Sequence, residues 1–163
     1  IHDTALLWFK SYLVNRTQIV SANGKHSSPV DLCCGVPQGS VLGPVLFILY
    51  TQPISSVIDH HPVCHQLYAD DTQIYKSSCP TEVEVTSQGV ERCISDVKSW
   101  MKCNKLQMND DKTEAILITT QRLSHSYPLP QTISISNTNI KFTVSMKPRL
   151  LLLTVLFHCT NMS

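Results

Sequence analysis

The sequence predicts an α+β domain, an antiparallel sheet with helices packed on one face, and three observations carry that expectation. The order of elements runs helix, strands, helix, strand hairpin, long helix, strand, an order in which helices segregate against a mainly antiparallel sheet. Two turn signals, Asn23-Gly24 and Asp70-Asp71, each lie between short β-prone runs. Val90, Cys93, Ile94, Val97, Trp100 and Met101 recur at the three-and-four spacing of a helix with one buried face.

Taken in order, Asp3 or Thr4 is placed to cap a first helix whose apolar residues Leu6, Leu7, Phe9, Tyr12 and Leu13 form one broad face, expected to lie against a sheet. Runs from Arg16 to Ala22 and from Pro29 to Cys34 flank Asn23-Gly24, which readily takes the positive φ angles of a hairpin turn. Ser40 caps a second helix carrying Leu42, Val45, Leu46 and Leu49; Pro44 is tolerated near its first turn, and Pro53 breaks or restarts it. The stretch from Gln66 to Tyr75 reads as a second hairpin hinged on the two aspartates.

The long helix spans about Glu82 to Cys103, weakened at Gly89 by about 1 kcal/mol relative to alanine. Beyond the polar turn Asn109-Asp110-Asp111-Lys112 comes a strand, Glu114 to Thr119, with Ala115, Leu117 and Thr119 on one face. A further hairpin runs through Ile133, Ile135 and Ile140. From Met146 the periodicity dissolves into Lys147-Pro148-Arg149 and a leucine run. The expectation is one domain over residues 1–145 and an irregular tail over 146–163, out-of-frame or decayed, so that deleting Lys147 to Ser163 leaves thermal stability unchanged or improved.

With 42% hydrophobic and 15% charged residues, the chain has the balance of a packed globular protein rather than a disordered one. The formal net charge of +1 sets up no field that would draw the whole chain to a phosphate backbone, so any nucleic-acid role rests on motifs. Seven cysteines, with no C-x-x-C pair and no secretory leader, read as free thiols, most of them in the core, in a reducing intracellular compartment. No apolar run approaches the roughly 20 residues of a bilayer-spanning helix, so no membrane association is expected.

Two constellations carry chemistry. Asp70 and Asp71, adjacent carboxylates at a tight turn, suit a hard divalent cation that keeps waters and substrate phosphates in its shell; taken alone, the pair equally suits a solvated turn. Gly35-Val36-Pro37-Gln38-Gly39-Ser40 ends a strand and opens a helix. Its glycines permit close approach of another backbone, and Gln38 offers an amide that both donates and accepts, although a structural glycine turn capped by Ser40 accounts for the same residues.

Together, and in order, these motifs resemble the reverse transcriptases of non-long-terminal-repeat retrotransposons. The resemblance runs through Trp8-Phe9-Lys10-Ser11-Tyr12-Leu13, Arg16-Thr17-Gln18 and the loop and helix from Gly35 to Phe47. It continues through Tyr68-Ala69-Asp70-Asp71-Thr72, the helix bearing Trp100, and Asn109-Asp110-Asp111-Lys112-Thr113-Glu114. It covers roughly Ile1 to Phe142 and is nearest to the jockey and chicken-repeat groups of long interspersed elements. It implies a partial polymerase palm in which Asp70 and Asp71 bind two Mg²⁺ ions for nucleotidyl transfer. Tyr68 and Ala69 would lie beside the primer end, Pro37, Gln38 and Gly39 would line the nucleotide and template pocket, and Lys112 would protonate departing pyrophosphate. The implied partners are an RNA template, a DNA primer and deoxynucleoside triphosphates.

The chain departs from the family pattern in three ways. The strand carrying a further catalytic aspartate and the fingers lie outside it, and the glycine-containing strand turn expected near the end is replaced by the leucine run. The isolated chain is therefore expected to be inactive in polymerisation. Two further readings stand beside this one: a non-catalytic RNA-binding remnant or functionless relic, and a zinc-binding interaction module built on His60, His61, Cys64 and His65.

Overall fold

Asn23 and Gly24 take φ angles of 51° and 73°, the left-handed pair that a two-residue hairpin turn requires. They fold β2 (Ser21–Ala22) onto β3 (Lys25–His26), and outside them β1 (Arg16–Gln18) pairs antiparallel with β4 (Val30–Leu32). The computed structural model describes residues 2–33, 35, 36, 39–135, 138–147 and 151–161. They divide into two units, Ile1–Gly43 and Pro44–Ser163.

In the first unit, α1 (Asp3–Leu13) precedes the hairpin. Its N-cap is His2, with no side-chain capping bond, rather than Asp3 or Thr4. The helix buries none of its residues, and Leu7 stays 67% exposed. Arg16 ties the unit together, its guanidinium donating to the carbonyls of Leu13 and Gly35 at 3.0 and 2.6 Å.

The second unit holds the core. After α2 (Gly43–Thr51), Pro53 restarts the chain as α3 (Ile54–Ile58), as its missing N–H requires. The strands β5 (Cys64–Tyr68) and β6 (Asp71–Ser77) form the expected second hairpin. A 3₁₀ turn, Pro80–Glu82, leads into α4 (Val83–Cys103), whose buried residues include Val90, Cys93, Ile94, Val97 and Met101 on one stripe. Then come β7 (Leu106–Met108), a 3₁₀ turn at Asp110–Lys112, β8 (Glu114–Thr119), α5 (Gln121–Ser126) capped by the Thr120 hydroxyl, β9 (Thr132–Ile135) and β10 (Thr138–Met146). Ala115, Leu117 and Thr119 are buried along one face of β8, as the alternation predicts.

The largest departure from the sequence reading is at the end of the chain. The tail expected to be irregular is, over Leu152–Asn161, the ten-residue strand β11. It lies inside a seven-stranded sheet of order β5-β6-β11-β8-β10-β9, with β7 also paired to it. Leu151, Leu153, Val155, Phe157 and Cys159 alternate into the core. Thr154, on the opposite face, is also buried, so both faces of the strand carry little polarity and the period of two disappears from the sequence. All pairs are antiparallel except β10 with β8, which the α5 crossover makes parallel.

The helices α3 and α4 pack on one another, and α4 covers β6, β7 and β9, so this is an α+β arrangement of an antiparallel-rich sheet with helices on one face. That is the fold class expected from the sequence. Among the described residues no helix is long and apolar enough to cross a membrane.

Two consequences can be measured. Removal of residues 151–163 takes out the strand between β6 and β8, and the shortened chain is expected to lose its cooperative urea transition; a retained transition would show that the strand is dispensable. Gly89 lies mid-helix at negative φ with open space where a Cβ would project. Gly89→Ala is therefore expected to raise unfolding free energy by about 1 kcal/mol in the same assay, and a decrease would mean the site is not open.

Candidate metal centre

The β5–β6 turn consists of Ala69 and Asp70, with Tyr68 paired directly to Asp71. Ala69 takes φ 54°, a left-handed conformation costing a non-glycine residue about 1 kcal/mol. The tightness of this turn sets the two carboxylates at the mouth of the hairpin. Asp70 is exposed and Asp71 partly buried.

Register fixes what stands beside them. Asp71 pairs with Tyr68 on one side and with His158 of β11 on the other. Directly paired residues in antiparallel strands project to the same face, with Cβ atoms about 5 Å apart. Thr72 and Ile74 are buried on the helix-covered face, so the row Tyr68, Asp71, His158 crosses three strands on the other face. Tyr68 is 76% exposed there.

The histidine Nδ1 forms an ion-pair contact with Asp71 Oδ1, with side-chain exposures of 25% and 38%. One ligand atom each from Asp70, Asp71 and His158 all lie within 4.8 Å of one another. Backbone bonds hold this group in place. The Cys159 amide donates to the Asp70 carbonyl at 2.8 Å, and the Asn109 amide donates to the His158 carbonyl at 3.0 Å.

The second of these bonds brings in the Asn109–Lys112 turn. Asn109 Oδ1 accepts from the Asp111 amide at 3.1 Å, and the Thr113 hydroxyl donates to the Asn109 carbonyl at 2.8 Å, so the motif read as Asn-Asp-Asp-Lys-Thr closes on itself. Lys112 is exposed on it. Asp110 is engaged by Lys98 at 2.6 Å.

The turn has an electrostatic signature. Burial pushes the Cys159 thiol up to about 11; a hydrogen bond with Thr72 pulls the other way, and the charges of Asp70 and Asp71 push it further up. Cys93, under α4, is raised to about 12, by burial first and the Asp96 charge second. These two are buried, whereas Cys33, Cys64, Cys79 and Cys103 are exposed, which corrects the expectation that most thiols are core residues. All six are free.

Of the residues singled out from sequence, the structure gathers Tyr68, Ala69, Asp70 and Asp71 at one turn and ties the turn bearing Lys112 to the adjoining strand end. Gly39 takes φ 76° in the first unit. Pro37 and Gln38 lie outside the described residues. The histidine cluster does not form a site. His60 Nδ1 meets the Ser56 carbonyl at 2.5 Å, His61 meets Asp96 at 2.9 Å, and His65 meets Ser55 at 3.0 Å with Asp59 at 3.6 Å. Among the described residues the one metal-type cluster is Asp70, Asp71 and His158. His158 was missed in the sequence because it lies in the stretch that had no period.

Two adjacent carboxylates thus stand at a strand-joining turn on the open face of an antiparallel sheet backed by helices, with one histidine beside them. Comparison with known proteins gives the chain its family. The pattern of the reverse transcriptase (RNA-dependent DNA polymerase) family matches residues 1–144. The chain is 32% identical over 121 residues to the probable RNA-directed DNA polymerase from transposon BS of Drosophila melanogaster, covering 71% of this chain and 13% of that protein. It is 32% identical over 109 residues to the RNA-directed DNA polymerase from mobile element jockey of the same species, covering 63% and 12%. To the probable RNA-directed DNA polymerase from transposon X-element it is 28% identical over 131 residues, covering 75% and 14%. No solved structure matches.

The chain thus belongs to the reverse transcriptase family and is a partial domain of the non-long-terminal-repeat retrotransposon kind. It spans about one eighth of the length of the curated relatives it matches.

Proposed function

We propose that this chain is the part of a retrotransposon RNA-directed DNA polymerase that supplies two carboxylates of the catalytic centre, as a partial palm over residues 1–145 to which β11 also contributes. The observation that carries the reading is the placement of Asp70 and Asp71 at an exposed turn on the open sheet face, fixed by the register of β5, β6 and β11. Reverse transcriptases use divalent metals, and the donor set fits such an ion: anionic oxygens on a rigid turn, with solvent on the outer side for waters and phosphates. Mg²⁺ is the ion that the family resemblance implies for two carboxylates whose shell is completed by water and phosphate. A pair of bound ions supplies charge stabilisation to the attacking and leaving oxygens of a phosphoryl transfer.

The chain's own residues would do the rest. Asp70 and Asp71 hold the cations. Tyr68, exposed in the same row, offers a flat apolar face and a hydroxyl to the primer terminus. Ala69 keeps the turn narrow enough for a backbone to approach. Lys112, on the turn bonded to His158, is the candidate donor of a proton to pyrophosphate. Pro37, Gln38 and Gly39 would line the nucleotide and template side. The partners of the whole protein would be an RNA template, a DNA primer and deoxynucleoside triphosphates.

Among the described residues no third carboxylate joins Asp70 and Asp71. The purified chain is accordingly expected to give no primer extension on an RNA template with Mg²⁺. In a polymerase carrying this segment within its full reading frame, Asp71→Asn is expected to reduce extension by at least a hundredfold while leaving the fold intact by circular dichroism. Extension unaffected by that substitution would refute the assignment.

A further inference from the structure

The carboxylate pair does not stand alone on the sheet face, and the side chain that joins it is not an oxygen ligand. We propose that His158 is a third ligand of the centre and shifts it from a site for Mg²⁺ alone toward one that prefers a first-row transition cation, such as Mn²⁺, over Mg²⁺. The inference rests on the assignment of Asp70 and Asp71 as cation ligands and adds a residue and a specificity to it.

Three observations support it. The ligand atoms of Asp70, Asp71 and His158 lie mutually within 4.8 Å, close enough for one ion to touch all three after small side-chain adjustments. The histidine presents Nδ1 toward Asp71 Oδ1, so the ring nitrogen that faces the carboxylates is an atom able to ligate an ion. Its backbone is held on both sides, paired to Asp71 in the sheet and bonded through its carbonyl to Asn109, so the imidazole is delivered by a rigid element rather than a loop.

The chemistry then favours one class of ion. Mg²⁺ demands a near-octahedral oxygen shell and gains little from imidazole, whereas first-row transition ions accept mixed nitrogen and oxygen donors. One nitrogen and two carboxylates on one side of the ion leave positions open for water or phosphate oxygens. A site of two oxygens alone would show no such preference beyond the modest one common to carboxylates.

The test is Mn²⁺ binding to the full purified chain, followed by electron paramagnetic resonance, with pulsed detection of ¹⁴N coupling as the direct sign of an imidazole ligand. The wild type is expected to bind Mn²⁺ with ¹⁴N coupling and at least tenfold more tightly than Mg²⁺ in competition. His158→Ala is expected to lose the coupling and weaken Mn²⁺ binding by tenfold or more. His158→Asp, which keeps a ligand but makes it oxygen, is expected to lose the coupling and narrow the preference to threefold or less. Mn²⁺ bound without ¹⁴N coupling and with equal affinity in His158→Ala would overturn the role of His158 while leaving the carboxylate site standing. Binding unaffected by Asp70→Asn and Asp71→Asn, or no saturable binding at all, would remove both.

Discussion

The pairing of β11 with β6 is the constraint on which the second unit depends. A strand whose residues 152–158 pair with β6 and whose residues 152–156 also pair with β8 satisfies backbone groups on both of its edges. Its buried side chains close the sheet against α4, with Phe157, Val155 and Leu153 almost fully enclosed. The same register sets His158 against Asp71 and the Cys159 amide against the Asp70 carbonyl. One set of hydrogen bonds therefore builds the core and positions the carboxylate turn.

Much of this was legible in the residues. Hairpins were readable wherever a turn demands particular chemistry, as at Asn23-Gly24, where positive φ excludes most side chains. The long helix α4 was readable because its polar and apolar faces differ, and β8 because one of its faces is buried and the other partly open. The carboxylate turn was readable because adjacent aspartates rarely serve a strand interior. The strand β11 was not, and the reason is physical: a central strand apolar on both faces has no alternation to show, and a leucine run fits a buried helix or strand equally well. The parallel pairing of β10 with β8 depends on a crossover through α5, a six-residue helix whose sequence has too few turns to show a period.

Each of the two units carries exposed apolar surface. The helix α2 is apolar nearly all round, and Val45, Ile48, Leu49 and Tyr50 remain about half exposed on it. Helices of that composition are ordinarily covered. The helix α1 shows the same feature in its own unit, with Leu7 and Trp8 open and Trp8 stacked on Tyr12 at a centroid distance of 5.4 Å. The chain matches about one eighth of its relatives' length.

Whether the β6–β11 pairing builds a cation site is read most directly from paramagnetic broadening of amide resonances by substoichiometric Mn²⁺ in the ¹⁵N-labelled chain. If the β6–β11 register builds the cation site, broadening should concentrate at the amides of Asp70, Asp71, His158, Cys159 and Asn109, residues brought together only by that pairing. Broadening centred elsewhere, for example on the Asp110–Lys98 pair alone, or spread evenly over exposed acidic residues, would contradict the account.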